Sequence, residues 1–212
     1  MIDAIALGKL LAEEVTNLPG PCLYPGKFHP PHIGHFEEVN RLASYDYITE
    51  VVVILSAKVS SETGMISPEG ALQIWKLYLD AQKNPKIKFQ ISEQDSPVDD
   101  MFSIIERNPK AKVIYIAGAG DESDDKDYIE SVKKEYPERV VVEEVHEKRG
   151  VISSEYVRNL VRNRKSDDDI PDEFKDALPV AACNKGAAPK VWKILTSTIP
   201  SEPEQGTDKG LR

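Results

Sequence analysis

Cysteine is scarce in this chain: Cys22 and Cys183 are the two among 212 residues. They lie far apart and in no metal-like spacing, so neither a disulfide framework nor a zinc site is expected, and a reduced, cytoplasmic setting fits. Long apolar runs are missing, and none approaches the ~20 residues of a membrane span. Met1-Ile2-Asp3 puts no basic stretch ahead of an apolar one, so no secretory leader is expected. Positive charge is in deficit: 27 Lys and Arg stand against 36 Asp and Glu, a net −9. That balance argues against nucleic-acid and membrane-surface partners. It leaves room for a small phosphorylated ligand, because a few Lys, His and Arg can form a positive pocket inside an acidic shell. The acidic runs at 121–127 and 167–169 lack the glycine and closing glutamate of a calcium loop and read as solvated faces. No internal repeat occurs.

What is present alternates. Short runs rich in Val and Ile, bounded by turn or charged residues, predict strands at Cys22–Tyr24, Val51–Leu55, Ile87–Ile91, Val113–Ala117 and Val140–Val145. Helical periodicity lies between them at Phe36–Ala43, Pro68–Ala81, Val98–Arg107 and Asp127–Glu135. This order predicts an α/β, Rossmann-like, doubly wound parallel sheet of about five strands, with helices on both faces. An amphipathic N-terminal helix over 1–19 precedes it, ending at Pro19-Gly20. The main domain is read as 20–165 and a helical extension as 166–198. The main domain closes on a helix over Ser154–Asn163, and after the Asp-rich break the extension comprises Pro171–Ala177 and Pro189–Leu195. Residues 199–212, rich in Pro, Glu, Gly and Ser, read as a flexible tail.

The most informative stretch is Tyr24–His35, Tyr-Pro-Gly-Lys-Phe-His-Pro-Pro-His-Ile-Gly-His. It reads as a strand end, a glycine turn and a helix start. A helix N-terminus presents unpaired N–H groups and partial positive charge, which suits a phosphate chain. Gly26 allows close approach and an unusual backbone conformation. Lys27 adds charge, and His32 and His35, three residues apart, can donate to one group from one side of the first turn. In a doubly wound sheet the Gly26-Lys27 turn, the loop after Leu55 and the turn at Gly118–Asp121 share the carboxyl edge, where ligands bind.

A second cluster follows the last strand: Gly150-Val-Ile-Ser-Ser-Glu-Tyr-Val-Arg158. Ser153 or Ser154 caps the helix, leaving amides and hydroxyls for an anion. Arg158, one turn past Ser154, can reach back to grip phosphate oxygens. The two clusters form a two-ended clamp for a triphosphate.

Gly-x-Phe-x-Pro-x-His-x-Gly-His, followed by Ile-Ser-Ser-x-x-x-Arg, resembles the HxGH nucleotidyltransferases over roughly residues 20–165. That superfamily includes the adenylyltransferases of nicotinamide mononucleotide and phosphopantetheine and the cytidylyltransferases of phospholipid precursors. Gly26-Lys27-Phe28 is similar to the Gly-Arg-Phe form of the archaeal-type nicotinamide mononucleotide enzymes. The stretches Ile66–Trp75, Leu178-Pro179 and Val191-Trp192 look like a cytidylyltransferase-like branch often encoded by phages. The resemblance implies transfer of an NMP group from an NTP to a phosphorylated small molecule, with release of pyrophosphate. AMP from ATP is favoured over CMP from CTP. It further implies His32, His35, Lys27 and Arg158 as the catalytic set. Gly26, Phe28, Gly34, Gly120, Asp121, Ile152, Ser153 and Ser154 would contact the nucleotide, and Lys58 the acceptor phosphate. Mg²⁺ would be held mainly by the nucleotide phosphates, with no protein ligand assigned. An oligomer is compatible with these features.

Three positions depart from the family pattern. Ala71 stands where many relatives carry arginine, Glu155 where threonine is common, and His29 where Asp or Gln is usual. A carboxylate at Glu155 repels triphosphate unless it faces solvent. Trp75 and Tyr78, at helical spacing with Leu72 and Leu79, read as core. His-Ile-Gly-His is also a signature of class I aminoacyl-tRNA synthetases, but no Lys-Met-Ser-Lys-Ser-like loop or basic surface accompanies it. A fold of this kind that binds nucleotide without turning it over is the remaining alternative.

Overall fold

The computed structural model describes residues 18–59, 66–118, 123–145 and 152–201. The helix expected over 1–19 lies almost wholly outside them, as do Gly120, Asp121 and most of the tail. Among the described residues, strands and helices alternate: β1 (Gly20–Gly26), α1 (Ile33–Ser44), β2 (Ile48–Leu55), α2 (Pro68–Ala81) and β3 (Ile87–Ile91). Then come α3 (Pro97–Arg107), β4 (Ile114–Gly118), α4 (Ser123–Glu135), β5 (Val140–Glu144), α5 (Ser154–Arg162), α6 (Asp172–Asp176), α7 (Val180–Asn184) and α8 (Ala187–Thr196). The five strands form one sheet in the order β3-β2-β1-β4-β5, every neighbouring pair parallel. The doubly wound α/β expectation holds.

Alternate side chains divide the strands between two layers of helix. Cys22, Tyr24, Val51, Val53, Leu55, Tyr115 and Ala117 pack on one face with residues of α1, α2, α5, α6, α7 and α8. Leu23, Ile54, Ile114, Ile116 and Val140 pack on the other with Met101 and Ile105 of α3 and Val132 of α4. Burial on both faces is why the inner strands β1, β2 and β4 carry nearly continuous apolar runs, whereas β3 at the sheet edge alternates as Ile-Lys-Phe-Gln-Ile.

The C-terminal helices belong to the same core. Phe174, Leu178, Val191, Trp192, Leu195 and Ile199 are each 2 % exposed or less and cluster with sheet residues. Trp192 Nε1 donates to the Asp167 carbonyl at 2.7 Å, and Arg164 Nη1 donates to the Ile199 carbonyl at 2.9 Å. Ile199, expected in the tail, is therefore interior. No helix among the described residues is long and apolar enough to cross a membrane.

The strand order reverses between β1 and β4. β1 pairs with β2 as far as Gly26–Leu55, but with β4 only at Cys22–Tyr115 and Leu23–Ile116. The carboxyl ends of β1 and β4 thus part where a doubly wound sheet presents its ligand crevice. The Gly26–His35 segment leaves β1 at this point.

Candidate functional site

Gly26 ends β1. A Cβ there would lie 2.6 Å from Phe28 Cζ, so the glycine makes room for an aromatic ring. The unusual backbone belongs to Phe28 itself, at φ +50°. That left-handed conformation is disfavoured for a bulky residue, so its surroundings must hold it. They do: the ring is 5 % exposed and meets Tyr24, His35 and Trp75 edge-on at 5.2, 5.1 and 5.6 Å between centroids. Phe28, expected to contact nucleotide, has its ring packed edge-on beneath His35. Trp75 and Tyr78 are fully buried, as their spacing implied. The Tyr78 hydroxyl also reaches the motif, donating to the Pro31 carbonyl at 3.0 Å.

His32 is the N-cap of α1, with extended backbone. Its Nδ1 accepts from the Gly34 amide at 3.1 Å, and His35 Nδ1 accepts from the His32 amide at 3.3 Å. This is a capping box built from two imidazoles in place of the usual hydroxyl and carboxylate. It fixes the chemistry of both rings. An Nδ1 that accepts carries no hydrogen, so a neutral ring at either position bears its proton on Nε2. The rings lie 3.8 Å apart, tilted by 33°. Burial holds the pKa of His35 at about 3, so it is neutral at physiological pH. Gly34 serves the cap as well: a Cβ there would press on His32 Cε1 at 3.0 Å.

The amides of α1 are less open than the sequence suggests. Ile33 N–H is taken by the Ala177 carbonyl at 2.9 Å and Gly34 N–H by His32. Both amides are thus already taken.

The second cluster reaches the first. Ser153 caps α5, accepting from the Tyr156 amide at 3.0 Å. Ser154 Oγ donates to the Pro30 carbonyl at 2.9 Å, and Arg158 Nη1 donates to the His29 carbonyl at 2.5 Å. The start of α5 therefore rests on the loop between Lys27 and His32. Burial lowers the pKa of Arg158, and Arg162 lowers it further. Glu155 is exposed, and Ile152 packs at the margin of the main core. Ala71 is fully buried in α2.

Lys27 is exposed beside this junction. Lys58, after β2, points Nζ to Asp95 at 3.3 Å; its side chain is 63 % exposed, so the pair is solvated and weak. Gly120 and Asp121 lie outside the described residues. Among the described residues, no group of three His, Cys, Asp or Glu side chains could cage a metal ion.

One residue was missed as a site member. His29 is 3 % exposed, and neither of its ring nitrogens has a hydrogen-bond partner. Burial first, then Arg158 and Lys27, push its pKa down to about 4. Its departure from the family pattern marked the position, but nothing in the sequence showed where the ring goes.

No protein-family model matches the sequence, and no curated protein does. Solved structures do share its fold. Plasmodium falciparum nicotinic acid mononucleotide adenylyltransferase, complexed with APC, superposes with a TM-score of 0.57 at 13 % identity, over 83 % of this chain and 98 % of that one. The same enzyme complexed with NaAD gives 0.53 at 15 %, with the same coverage. At such identity the likeness is one of fold.

Proposed function

We propose that this chain is a nucleotidyltransferase. It moves an NMP group from an NTP to a phosphorylated small molecule and releases pyrophosphate. Adenylyl transfer from ATP is the favoured form and cytidylyl transfer from CTP the alternative. One observation carries the reading. Two imidazoles with Nδ1 pinned by backbone amides stand at the carboxyl end of β1, and Arg158 of α5 lies on the loop that bears them. The shared fold with an adenylyltransferase supports it.

The chemistry follows from the donors. The acceptor phosphate attacks the α-phosphorus in line, and charge gathers on the bridging and non-bridging oxygens as pyrophosphate departs. Such a step needs positioning and charge stabilisation more than proton transfer. The Nε2–H groups of His32 and His35 donate to α- and β-phosphate oxygens. The rings are already oriented, so little reorganisation is needed as the transition state forms. Lys27 neutralises phosphate charge, and Arg158 with the first turn of α5 holds the leaving pyrophosphate. Magnesium, which would be held mainly by the nucleotide phosphates, would offset their charge. Glu155 is exposed, so water screens its carboxylate, which acts on Arg158. Lys58 would meet the acceptor after release from Asp95.

The test is pyrophosphate release with each NTP across a panel of phosphorylated acceptors. His35→Ala should lower kcat by about 10²-fold or more, the scale of one oriented donor. Turnover that survives His35→Ala overturns the assignment. Nucleotide binding without turnover in the unaltered chain would return the reading to a binding module.

A further inference from the structure

His29 is enclosed at the junction of the two clusters, and its environment is unusual in two ways. Its ring is 3 % exposed with both nitrogens unpartnered, although buried polar groups are nearly always hydrogen-bonded. The charges acting on it are both positive: Arg158 from α5 and Lys27 from its own loop. No carboxylate of the described residues offsets them there; Glu155 acts on Arg158. Arg158 is also incompletely satisfied, since its buried Nε lacks a partner while Nη1 rests on the His29 carbonyl. Two cations and an unpartnered imidazole at one junction make a place that lacks negative charge.

We propose that His29 is an additional polyanion-positioning residue: it takes up a proton when a polyphosphate settles between Lys27 and Arg158, adding a third positive charge to that end of the site. The inference rests on the reading of this site as a triphosphate clamp. In the empty site, burial and two cations hold the ring neutral. A bound polyphosphate neutralises both cations and adds negative charge of its own, so the ring's proton affinity rises through the neutral range. Proton uptake on binding and tighter binding at lower pH are then the same quantity seen from two sides. His32 and His35 cannot do this as readily, because protonation of Nδ1 would break the caps they make.

The experiment is isothermal titration with pyrophosphate, and with Mg-ATP and Mg-CTP, in buffers of different ionisation enthalpy. It compares the unaltered chain with His29→Gln, which keeps an amide donor but does not titrate. Uptake should exceed that of His29→Gln by on the order of one proton. The ratio of their affinities should grow up to about tenfold as pH falls from 8 to 6; protonation of the free ligand cancels in the ratio. A measurement on the unaltered chain covers the case in which His29→Gln misfolds. Nitrogen NMR of the imidazoles, four in all, should show the His29 ring neutral at pH 6 when empty and protonated when pyrophosphate is bound. If pyrophosphate binds while the His29 ring stays neutral, or both proteins take up equal numbers of protons, this inference falls and the clamp stands. If none of the three ligands binds, the clamp falls and takes this inference with it.

Discussion

The β1–α1 side of the site is packed on the hydrophobic core up to the motif itself, whereas α5, seated in the same core by Val157 and Val161, meets the motif loop through two carbonyl groups. Phe28, packed on Tyr24 and Trp75, carries His35, and Tyr78 holds Pro31 from below. Across the junction, among the described residues, Ser154 and Arg158 donate to the Pro30 and His29 carbonyls. Core packing resists displacement collectively, while hydrogen bonds at a half-exposed helix end exchange with water or ligand at small net cost. The first side is therefore suited to fixed donors and the second to a grip that changes partner when a polyanion arrives. Orientation and adaptability are divided between the two ends.

The largest effect should come from attacking the rigid side at its base. Phe28→Ala removes a buried ring and is expected to cost about 3–5 kcal/mol in denaturant unfolding, the range for large-to-small core changes. Gly26→Ala should destabilise by about 1–3 kcal/mol through overpacking, because its Cβ meets the Phe28 ring at 2.6 Å. In the Phe28→Ala background that second cost should shrink towards zero, a coupling a double-mutant cycle reads directly. Additive effects would mean that the glycine serves the backbone and not the ring.

Acid should separate the histidines next. His29 and His35 are held neutral, at about 4 and about 3, against an ordinary value near 6.5. Below pH 6.5 the unfolded chain binds more protons than the folded one, so stability present at neutral pH is lost as pH falls towards those values. At pH 5 the loss is about 2 kcal/mol from His29 and less from the partly exposed His35, with each pH unit worth about 1.4 kcal/mol. Denaturant melts of the unaltered chain and His29→Gln from pH 7.5 to 5 measure the first share. Parallel curves would show that His29 is not held neutral by the fold.

How much of this was legible in the sequence varies with the range of the interaction. Helix α2 was placed to the residue because Ser67 caps it, Pro68 opens it and its apolar spacing is regular. Strand β3 was read equally well from the short alternation Ile-Lys-Phe-Gln-Ile between turns. Helix α7 was missed, since five residues after Pro179 show no period. The His32 cap escaped notice because the usual capping code lists hydroxyl and carboxylate side chains, although the His-x-x-His spacing matches a capping box. Phe28 was assigned to nucleotide because its motif resembles a binding loop; only packing reveals that its ring turns inward. Contacts such as Arg158 to His29 span 129 residues and leave no local trace. Their convergence came from strand order, which predicted the shared edge but not the partners.

Arg158→Lys sharpens the contrast at the adaptable end. The variant keeps the charge but loses the planar fork, so nucleotide affinity should fall about tenfold, or ~1.4 kcal/mol, with a melting temperature close to that of the unaltered chain. The opposite pattern, a lowered melting temperature with unchanged affinity, would make Arg158 a structural tie to the His29 carbonyl and nothing more.

The smallest effect discriminates most finely. Ser153 caps α5 and Ser67 caps α2 by equivalent side-chain bonds of 3.0 Å to the Tyr156 and Gly70 amides. Replacing either by alanine should cost about 1 kcal/mol of stability. Only Ser153→Ala should also weaken nucleotide binding, by a few-fold, because fraying of α5 loosens the turn that carries Ser154 and Arg158. Titration of Mg-ATP against both variants, at matched folded fraction, gives the comparison. Equal affinities would place the first turn of α5 outside the binding surface, and leave Arg158 as that helix's whole contribution.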